Sequence, residues 1–107
     1  MINLEKRHLE FVQSTLKKYI PNDTIWLFGS RVTEKIKPYS DIDLAIIANQ
    51  EIPSKIMSQL SLAFAESDLP YKVDLIDWSM IDDEFKAIVR AKYEIIQQGK
   101  LHRSKLE

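Results

Sequence analysis

Three aspartates in this sequence have the type and spacing expected of a metal-dependent site. Asp41 and Asp43 begin a predicted strand two residues apart, so both carboxylates should point to the same side of it. Asp74 lies within a later predicted strand, on a face that should otherwise be apolar. Adjacent anions repel one another unless cations lie among them, and hard oxygen ligands favour Mg²⁺ or Mn²⁺ shared with substrate phosphates. Two such ions, about 3.5–4 Å apart, activate an attacking oxygen and stabilise a leaving one.

A glycine–serine pair precedes these carboxylates. Gly29 and Ser30 directly follow a predicted buried strand and precede a short helical turn. A glycine lets the backbone approach a phosphate closely, and the start of a helix offers free N–H groups. Ser30 adds a hydroxyl donor, and Arg31 is expected to add a charge-assisted hydrogen bond. A phosphate-binding turn beside a two-metal site predicts displacement chemistry at phosphorus.

Each of these features alone also has an ordinary structural explanation. Gly-Ser pairs are common in loops, and an Asp-x-Asp pair at the start of a strand often serves a turn. Asp74 fits the surface of an edge strand about equally well. It is their combination, in this order along the chain, that favours the functional interpretation.

The run FGSRVTEKIKPYSDIDLAI resembles the signature of the DNA polymerase β-like nucleotidyltransferase superfamily. The family pattern is an apolar strand, Gly-Ser, a spacer of about ten residues and Asp-x-Asp, and here residues 31–40 form the spacer. The later run VDLID, residues 73–77, is similar to the family's third-carboxylate strand. The small size and the Gly-Ser-Arg and Ser-Asp-x-Asp forms most resemble the minimal nucleotidyltransferases of prokaryotes. Members of that group are the antitoxin halves of HEPN/MNT toxin–antitoxin pairs.

The resemblance implies a metal site and a reaction. Asp41 and Asp43 would hold two Mg²⁺ ions, with Mn²⁺ as the alternative. Asp74 would complete the metal site and help to deprotonate the attacking hydroxyl. In the antitoxin group, AMP passes from ATP to a tyrosine of the toxin and pyrophosphate leaves.

The resemblance also implies a nucleotide site. Gly29 and Ser30 would bind the β- and γ-phosphates of ATP, and Arg31 would contact phosphate as part of the Gly-Ser-Arg pattern. Tyr39 and Trp78 are further candidates for contact with the nucleotide or with a partner, although packing roles explain them as well.

The elements that must position these residues follow from the hydrophobic pattern. Apolar residues at helical spacing predict a first helix that stops near Ile20, because Pro21 disfavours helical geometry in the residue before it. Ile81, Phe85, Ile88, Val89, Lys92 and Ile96 predict a last helix, with Ser79 and Asp82 as its capping box and Gly99 as its C-terminal cap. Between these helices, strands are predicted over residues 24–28, 43–48 and 71–76, with a short helical turn after the first strand and a helix over residues 56–64 after the second. This order predicts an α/β or α+β domain in which helices cover a small sheet. The resemblance implies the polymerase β-like nucleotidyltransferase fold, with a small mixed sheet flanked by helices.

Composition limits the remaining choices. A chain of 107 residues and 12.5 kDa predicts one domain, over residues 1–99, followed by a polar tail over residues 100–107 whose final Leu-Glu resembles a vector remnant. The absence of cysteine excludes disulfides and thiolate metal sites, and no apolar run is long enough to span a membrane. A net charge of −1 argues against direct nucleic-acid binding. The charged N-terminus lacks the apolar run of a signal peptide, so a cytoplasmic location is expected.

The partner follows from what the chain lacks. The motif accounts for the triphosphate end of a substrate, and no other segment is long enough to build an acceptor-binding domain. The acceptor is therefore expected to be a whole protein docking on this surface, or else a partner chain or a homodimer supplies the missing wall. The resemblance implies that this partner is a HEPN-domain toxin encoded by the adjacent gene and held in a hetero-oligomer. Two alternatives stay open. One is a binding module that masks its partner sterically without catalysis, and the other is a nucleotidyltransferase acting on a small hydroxylated molecule.

Overall fold

Three helices and four strands make up the part of the chain that the structure describes. The computed structural model describes residues 1–35, 37 and 39–100, so the predicted tail lies outside the described residues apart from Lys100. The elements are α1 (Lys6–Tyr19), β1 (Thr24–Phe28), β2 (Ile42–Ile47), α2 (Ser54–Ala65), β3 (Val73–Asp77), α3 (Asp83–Ala91) and β4 (Tyr93–Gln97). Short 3-10 turns over Gly29–Val32 and Trp78–Met80 follow β1 and β3.

The four strands form one mixed sheet in the order β3-β2-β1-β4. The strand β1 is antiparallel to both β2 and β4, whereas β2 and β3 are parallel. The parallel pair of β2 and β3 requires a crossover connection, which α2 supplies. The predicted α+β class with a small mixed sheet flanked by helices is confirmed.

One face of the sheet carries the main hydrophobic core. Side chains alternate along β2, and Ile42, Leu44 and Ile46 are completely buried on the face that α1 and α2 cover. The helix α1 buries Val12 and Leu16 against this face and ends at Tyr19, directly before Ile20 and Pro21. These fully buried aliphatic side chains make the helix-covered face the stable base of the molecule.

The opposite face is covered only in part, by α3. Phe85 of α3 packs edge-to-face on Phe28 of β1, with 6.0 Å between the ring centroids, and Val89 lies in the same small cluster. Farther along this face, Trp26 stacks on Tyr93 of β4 at 3.8 Å between centroids. The alternating pattern of β2 places Asp43 on this same face.

The prediction of a last helix reaching Ile96 is wrong. The helix α3 ends at Ala91, Lys92 is extended with φ −160° and ψ 120°, and the chain continues as β4 beside β1. Gly99 is therefore not a helix cap. It lies against the backbone of residues 22–24, where a Cβ atom would overlap the Asn22 carbonyl oxygen. Backbone pairing with β1 outweighs the helical spacing because the run YEIIQ also suits a half-buried strand.

The predicted capping box of α3 is wrong as well. Asp82 itself is the N-cap, and its Oδ1 accepts a hydrogen bond of 2.8 Å from the Phe85 N–H. Ser79 instead donates its hydroxyl to Asp77 Oδ1 at 2.8 Å. Among the residues that the structure describes, no helix is both long and apolar enough to cross a membrane.

Candidate active site

The structure brings two of the predicted carboxylates together on neighbouring strands. Asp43 of β2 and Asp74 of β3 are direct partners in the parallel pairing, and strand alternation points both side chains to the face that α3 covers in part. Asp41 immediately precedes β2 and lies two residues before Asp43, so the alternation of the chain directs both side chains to the same side. The carboxylate pair forms where the first residues of two parallel strands meet at one end of the sheet.

Gly29 lies directly behind this pair. Its φ of +78° is in the left-handed region that favours glycine, and a Cβ atom added at this position would overlap Asp43 Oδ2. The closeness arises because Phe28, which precedes Gly29, is the cross-strand partner of Asp43. A glycine is required here by both the backbone conformation and the space that the carboxylate occupies.

The electrostatics of the site are those of crowded anions. The pKa of Asp43 is raised from its ordinary 3.8 to about 6, first by burial and then by the negative charges of Asp74 and Asp41. Lys72 gives partial compensation, with its Nζ 3.5 Å from Asp74 Oδ1. A cation placed among these carboxylates would favour the ionised form of Asp43.

The donor set fits a hard divalent cation that takes the rest of its ligands from substrate and water. Asp41, Asp43 and Asp74 offer only carboxylate oxygens, and Mg²⁺ is bound through one or two carboxylates plus substrate phosphates. Within residues 1–35, 37 and 39–100, no three acidic, histidine or cysteine side chains are grouped as a ready-made metal cage. The raised pKa of Asp43 shows that its ionised form is disfavoured at this position, and a bound cation would offset that penalty.

Ser30 begins the loop that faces the carboxylates. It follows Gly29 in the first 3-10 turn, and its carbonyl oxygen accepts hydrogen bonds of 3.1 Å from both the N–H and the hydroxyl of Thr33. These bonds fix the turn that follows Gly29, and Gly29 itself lies against Asp43. The phosphate-binding role of Gly29 and Ser30 stays a prediction.

The prediction that Arg31 contacts phosphate stays a prediction, and in this structure its side chain has other partners. Its side chain is buried, and its guanidinium donates to the carbonyl oxygens of Ser40 and Asn3. The guanidinium also lies 4.0 Å from the centroid of the Tyr71 ring. Tyr71 packs against the main core, on the face of the sheet that α1 and α2 cover. The physical reason is that the turn directs Arg31 to the side of the sheet opposite the carboxylates.

The two undecided aromatic residues have different surroundings. Tyr39 is 83% exposed in the loop before Asp41. Trp78 packs edge-to-face on Trp26 at 5.4 Å between centroids, and the cationic groups of Lys86 and Arg90 lie 5.5 and 5.1 Å from its ring. Trp78 is therefore part of the aromatic cluster beneath α3, while Tyr39 faces solvent near the site.

Sequence reasoning did not single out Asp77, the last residue of the VDLID run. It is buried, and its carboxylate accepts hydrogen bonds from the Ile52 N–H at 2.7 Å and the Ser79 N–H at 2.9 Å. It ties the segment before α2 to the end of β3. The sequence does contain a signal for this role. Asp77 is three residues after Asp74, an odd number, so strand alternation places the two side chains on opposite faces.

A groove of about 670 Å³ lies elsewhere, between α1 and the end of α2. None of the predicted site residues lines it. The lining residues are Arg7, His8, Phe11, Ala63, Glu66, Ser67, Asp68, Leu69 and Pro70.

The chain is similar to proteins of one family over nearly its whole length. Residues 10–105 match the family model described as polymerase beta, nucleotidyltransferase. The probable protein adenylyltransferase MntA of Haemophilus influenzae is 41% identical over 97 residues, which cover 91% of this chain and 85% of that protein.

Solved structures share the fold. One is the tri-AMPylated Shewanella oneidensis HEPN toxin in complex with MNT antitoxin, matched at a TM-score of 0.68 and 25% identity over 96% of this chain and 79% of that chain. Another is a toxin–antitoxin structure with AMP-PNP, matched at a TM-score of 0.70 and 24% identity over 95% of this chain and 80% of that chain.

Proposed function

Because the chain belongs to the polymerase beta nucleotidyltransferase family, we propose that it is an antitoxin that transfers AMP from ATP to a tyrosine of a HEPN toxin. The toxin is expected from the gene next to its own. Pyrophosphate is the second product. The modified toxin is silenced because its tyrosine carries a bulky anionic group. The 41% identity to a probable protein adenylyltransferase supports the choice of reaction.

The observation that carries this proposal is the pairing of Asp43 with Asp74 directly in front of Gly29. Burial together with the neighbouring charges of Asp74 and Asp41 raises the pKa of Asp43 to about 6, and this has a stability cost that a purely structural site would avoid. A phosphate-binding turn against such a pair is the arrangement that phosphoryl-type displacement needs, since that chemistry is largely positioning and electrostatic stabilisation.

The carboxylates have the following roles in the proposal. Asp41 and Asp43 would hold two Mg²⁺ ions, or Mn²⁺ in their place, and Asp74 would complete the site. Bound ions supply neutralisation of the charge that develops on the phosphate oxygens. Asp74 accepts the proton of the tyrosine hydroxyl as its oxygen bonds to the α-phosphorus. The bond from the α-phosphorus to the bridging oxygen breaks in the same displacement, and pyrophosphate leaves.

The turn after β1 holds the triphosphate end of the nucleotide. The backbone of Gly29 and Ser30 and the Ser30 hydroxyl bind the β- and γ-phosphates, where an added side chain at Gly29 would displace Asp43. The acceptor tyrosine arrives on the partner protein, in a hetero-oligomer, or beside a wall that a second copy supplies in a homodimer. Positioning by the partner then provides part of the rate.

The test is intact-mass spectrometry of the neighbouring gene product after incubation with this protein, Mg²⁺ and ATP. We expect mass additions in whole AMP units, and fragmentation should place them on tyrosine. The Asp41→Asn/Asp43→Asn variant should produce none, because it removes two of the carboxylates that carry the chemistry. Glu51→Gln is the matched control, since Glu51 is an exposed acid outside the site.

Three other outcomes would contradict the proposal or a part of it. Transfer that persists in the double variant would contradict the carboxylate mechanism. A stable complex without any mass addition would contradict the enzymatic role and favour steric masking. Neither transfer nor a complex would redirect the search to other nucleotides and to small hydroxylated acceptors.

Steric masking has an observation of its own. Ile88 on α3 is 61% exposed and Phe11 on α1 is 39% exposed, so both terminal helices carry large apolar side chains at the surface. A non-catalytic antitoxin would use such residues to cover its partner. In that case the Asp41→Asn/Asp43→Asn variant would still protect cells that express the toxin.

A further inference from the structure

Arg31 is a buried cation with an unusually complete set of partners. The residue is 4% exposed, and a buried charge is stable only when it is paired and hydrogen-bonded. All three guanidinium nitrogens donate hydrogen bonds, and all of the acceptors are backbone carbonyl oxygens. A side chain in this state holds backbone segments in place.

Two of those hydrogen bonds fix the start of the carboxylate strand. Arg31 Nε and Nη2 both donate to the Ser40 carbonyl oxygen, at 3.2 and 2.8 Å. Ser40 directly precedes Asp41, and Asp43 is two residues farther on. Because the planar guanidinium donates in a rigid fork, the bond pair restrains both the distance and the direction of this segment.

The third nitrogen ties the glycine–serine turn to the N-terminal segment. Arg31 Nη1 donates to the Asn3 carbonyl oxygen at 3.0 Å, and the Asn3 N–H donates back to the Arg31 carbonyl oxygen at 2.7 Å. The Asn3 amide also donates to the Thr33 carbonyl oxygen at 2.5 Å. These bonds hold the second half of the turn that contains Ser30 against the N-terminal segment.

Tyr71 connects the same guanidinium to β3. The Arg31 guanidinium carbon lies 4.0 Å from the Tyr71 ring centroid, in a cation–π contact, and His8 packs edge-on against that ring at 5.4 Å. The next residue, Lys72, accepts a hydrogen bond from the Ile42 N–H at 2.8 Å through its carbonyl oxygen. Arg31 therefore contacts the segments that lead into both carboxylate strands.

The side of the sheet decides between a phosphate contact and a positioning role. Tyr71 packs against the core beneath α1 and α2, whereas Asp43 and Asp74 alternate toward the opposite face. We propose that Arg31 is a positioning residue, which aligns the glycine–serine turn with the carboxylates and does not touch the nucleotide. This inference rests on the nucleotidyl transfer proposed above.

Arg31→Lys separates the two roles. Lysine keeps the charge, so a phosphate contact would be partly preserved, but it lacks the fork that grips Ser40. For positioning we expect kcat to fall on the order of 10²-fold, because a displacement of about 1 Å has an effect of that size. The KM for ATP should stay within about twofold. Arg7→Lys is the matched control, since Arg7 is an exposed arginine on α1.

The contrary results are equally distinct. A normal kcat, or a large rise in KM with kcat unchanged, would overturn the positioning role. Hydrogen exchange gives a readout that does not depend on activity: the amides of residues 40–43 should exchange faster in Arg31→Lys and normally in Arg7→Lys. Unchanged exchange would also overturn the inference, whereas a wild-type protein without transfer would overturn only the proposed function.

Tyr71→Leu serves if Arg31→Lys does not fold. It removes the ring beneath the guanidinium and leaves every hydrogen bond of Arg31 available. We expect a smaller fall in kcat, about threefold to tenfold, again with the KM for ATP unchanged. An unchanged kcat in this variant would show that the stacking contact does not position the site.

Discussion

The two faces of the sheet differ in burial and in the residues that they carry. On the helix-covered face, Ile42, Leu44 and Ile46 are completely buried beneath α1 and α2. On the other face, the intervening residues of the same strand are Asp43, which is partly exposed, and Ala45, which lies beneath the aromatic cluster of α3. Alternation along one strand thus divides the molecule into a base that supplies stability and a site that reduces it.

The difference between the faces explains why the carboxylates lie on the partly covered one. The apolar base tolerates a carboxylate pair on its reverse side because the backbone of β2 is held by packing that does not involve the pair. The raised pKa of Asp43 reflects the cost of the site, because burial and the neighbouring carboxylates both disfavour the ionised form that metal binding needs. The predictions below test this division in order of decreasing effect.

Asp43→Asn should have opposite effects on activity and stability. Transfer should fall on the order of 10³-fold, since a metal ligand is lost. Without divalent cations, thermal melts at pH 7.5 should show a stability gain on the order of 1 kcal/mol, because partial exposure screens much of the repulsion. The folded-state pKa is raised, so the penalty is present above about 6 and disappears below the ordinary 3.8. A variant destabilised at pH 7.5 would contradict the division.

Leu44→Ala should do the reverse. Leu44 is adjacent to Asp43 but lies on the covered face with no exposed surface. Its truncation should reduce the free energy of unfolding by about 3 kcal/mol, measured in urea, through lost burial and a cavity. Ile47→Ala, on the other face of the same strand, is the matched control and should lose less than half as much. Equal losses would show that both faces contribute equally to the core.

Transfer should depend on pH through Asp43. With a pKa of about 6, the carboxylate is mostly ionised at pH 7 and mostly protonated at pH 5, so the rate at pH 5 should be about tenfold lower. Raising the Mg²⁺ concentration should move the midpoint to lower pH, because a cation binds only the ionised form. A midpoint that does not respond to Mg²⁺ would assign the titration to another group.

The smallest effect is expected at the cap of α3. Asp82→Ala removes the acceptor of the Phe85 N–H and should reduce the free energy of unfolding by about 1 kcal/mol. Asp82→Ser keeps a capping oxygen and should retain most of the stability. Thermal melts of the two variants provide the measurement, and equal losses would mean that the cap does not hold α3 over the aromatic cluster.

Local sequence information was sufficient for the parts that neighbours along the chain specify. The periodicity of apolar residues predicted α1, β1 and β2 close to their observed bounds. It failed after Ala91, where Ile88, Val89 and Ile96 fit a helix as well as they fit a helix followed by a strand. The choice between these was made by the pairing of Phe28 with Tyr93, a contact between residues far apart in sequence.

What the sequence determined by itself is the set of chemical groups: Gly29, Ser30 and the carboxylates, at spacings that strand alternation converts into shared faces. Only the tertiary structure decided that Asp43 and Asp74 are direct strand partners, and that Arg31 holds Ser40 and Asn3 on the opposite side. The physical reason is that alternation is local, whereas pairing register and the partners of a buried cation depend on segments that meet only when the chain has folded.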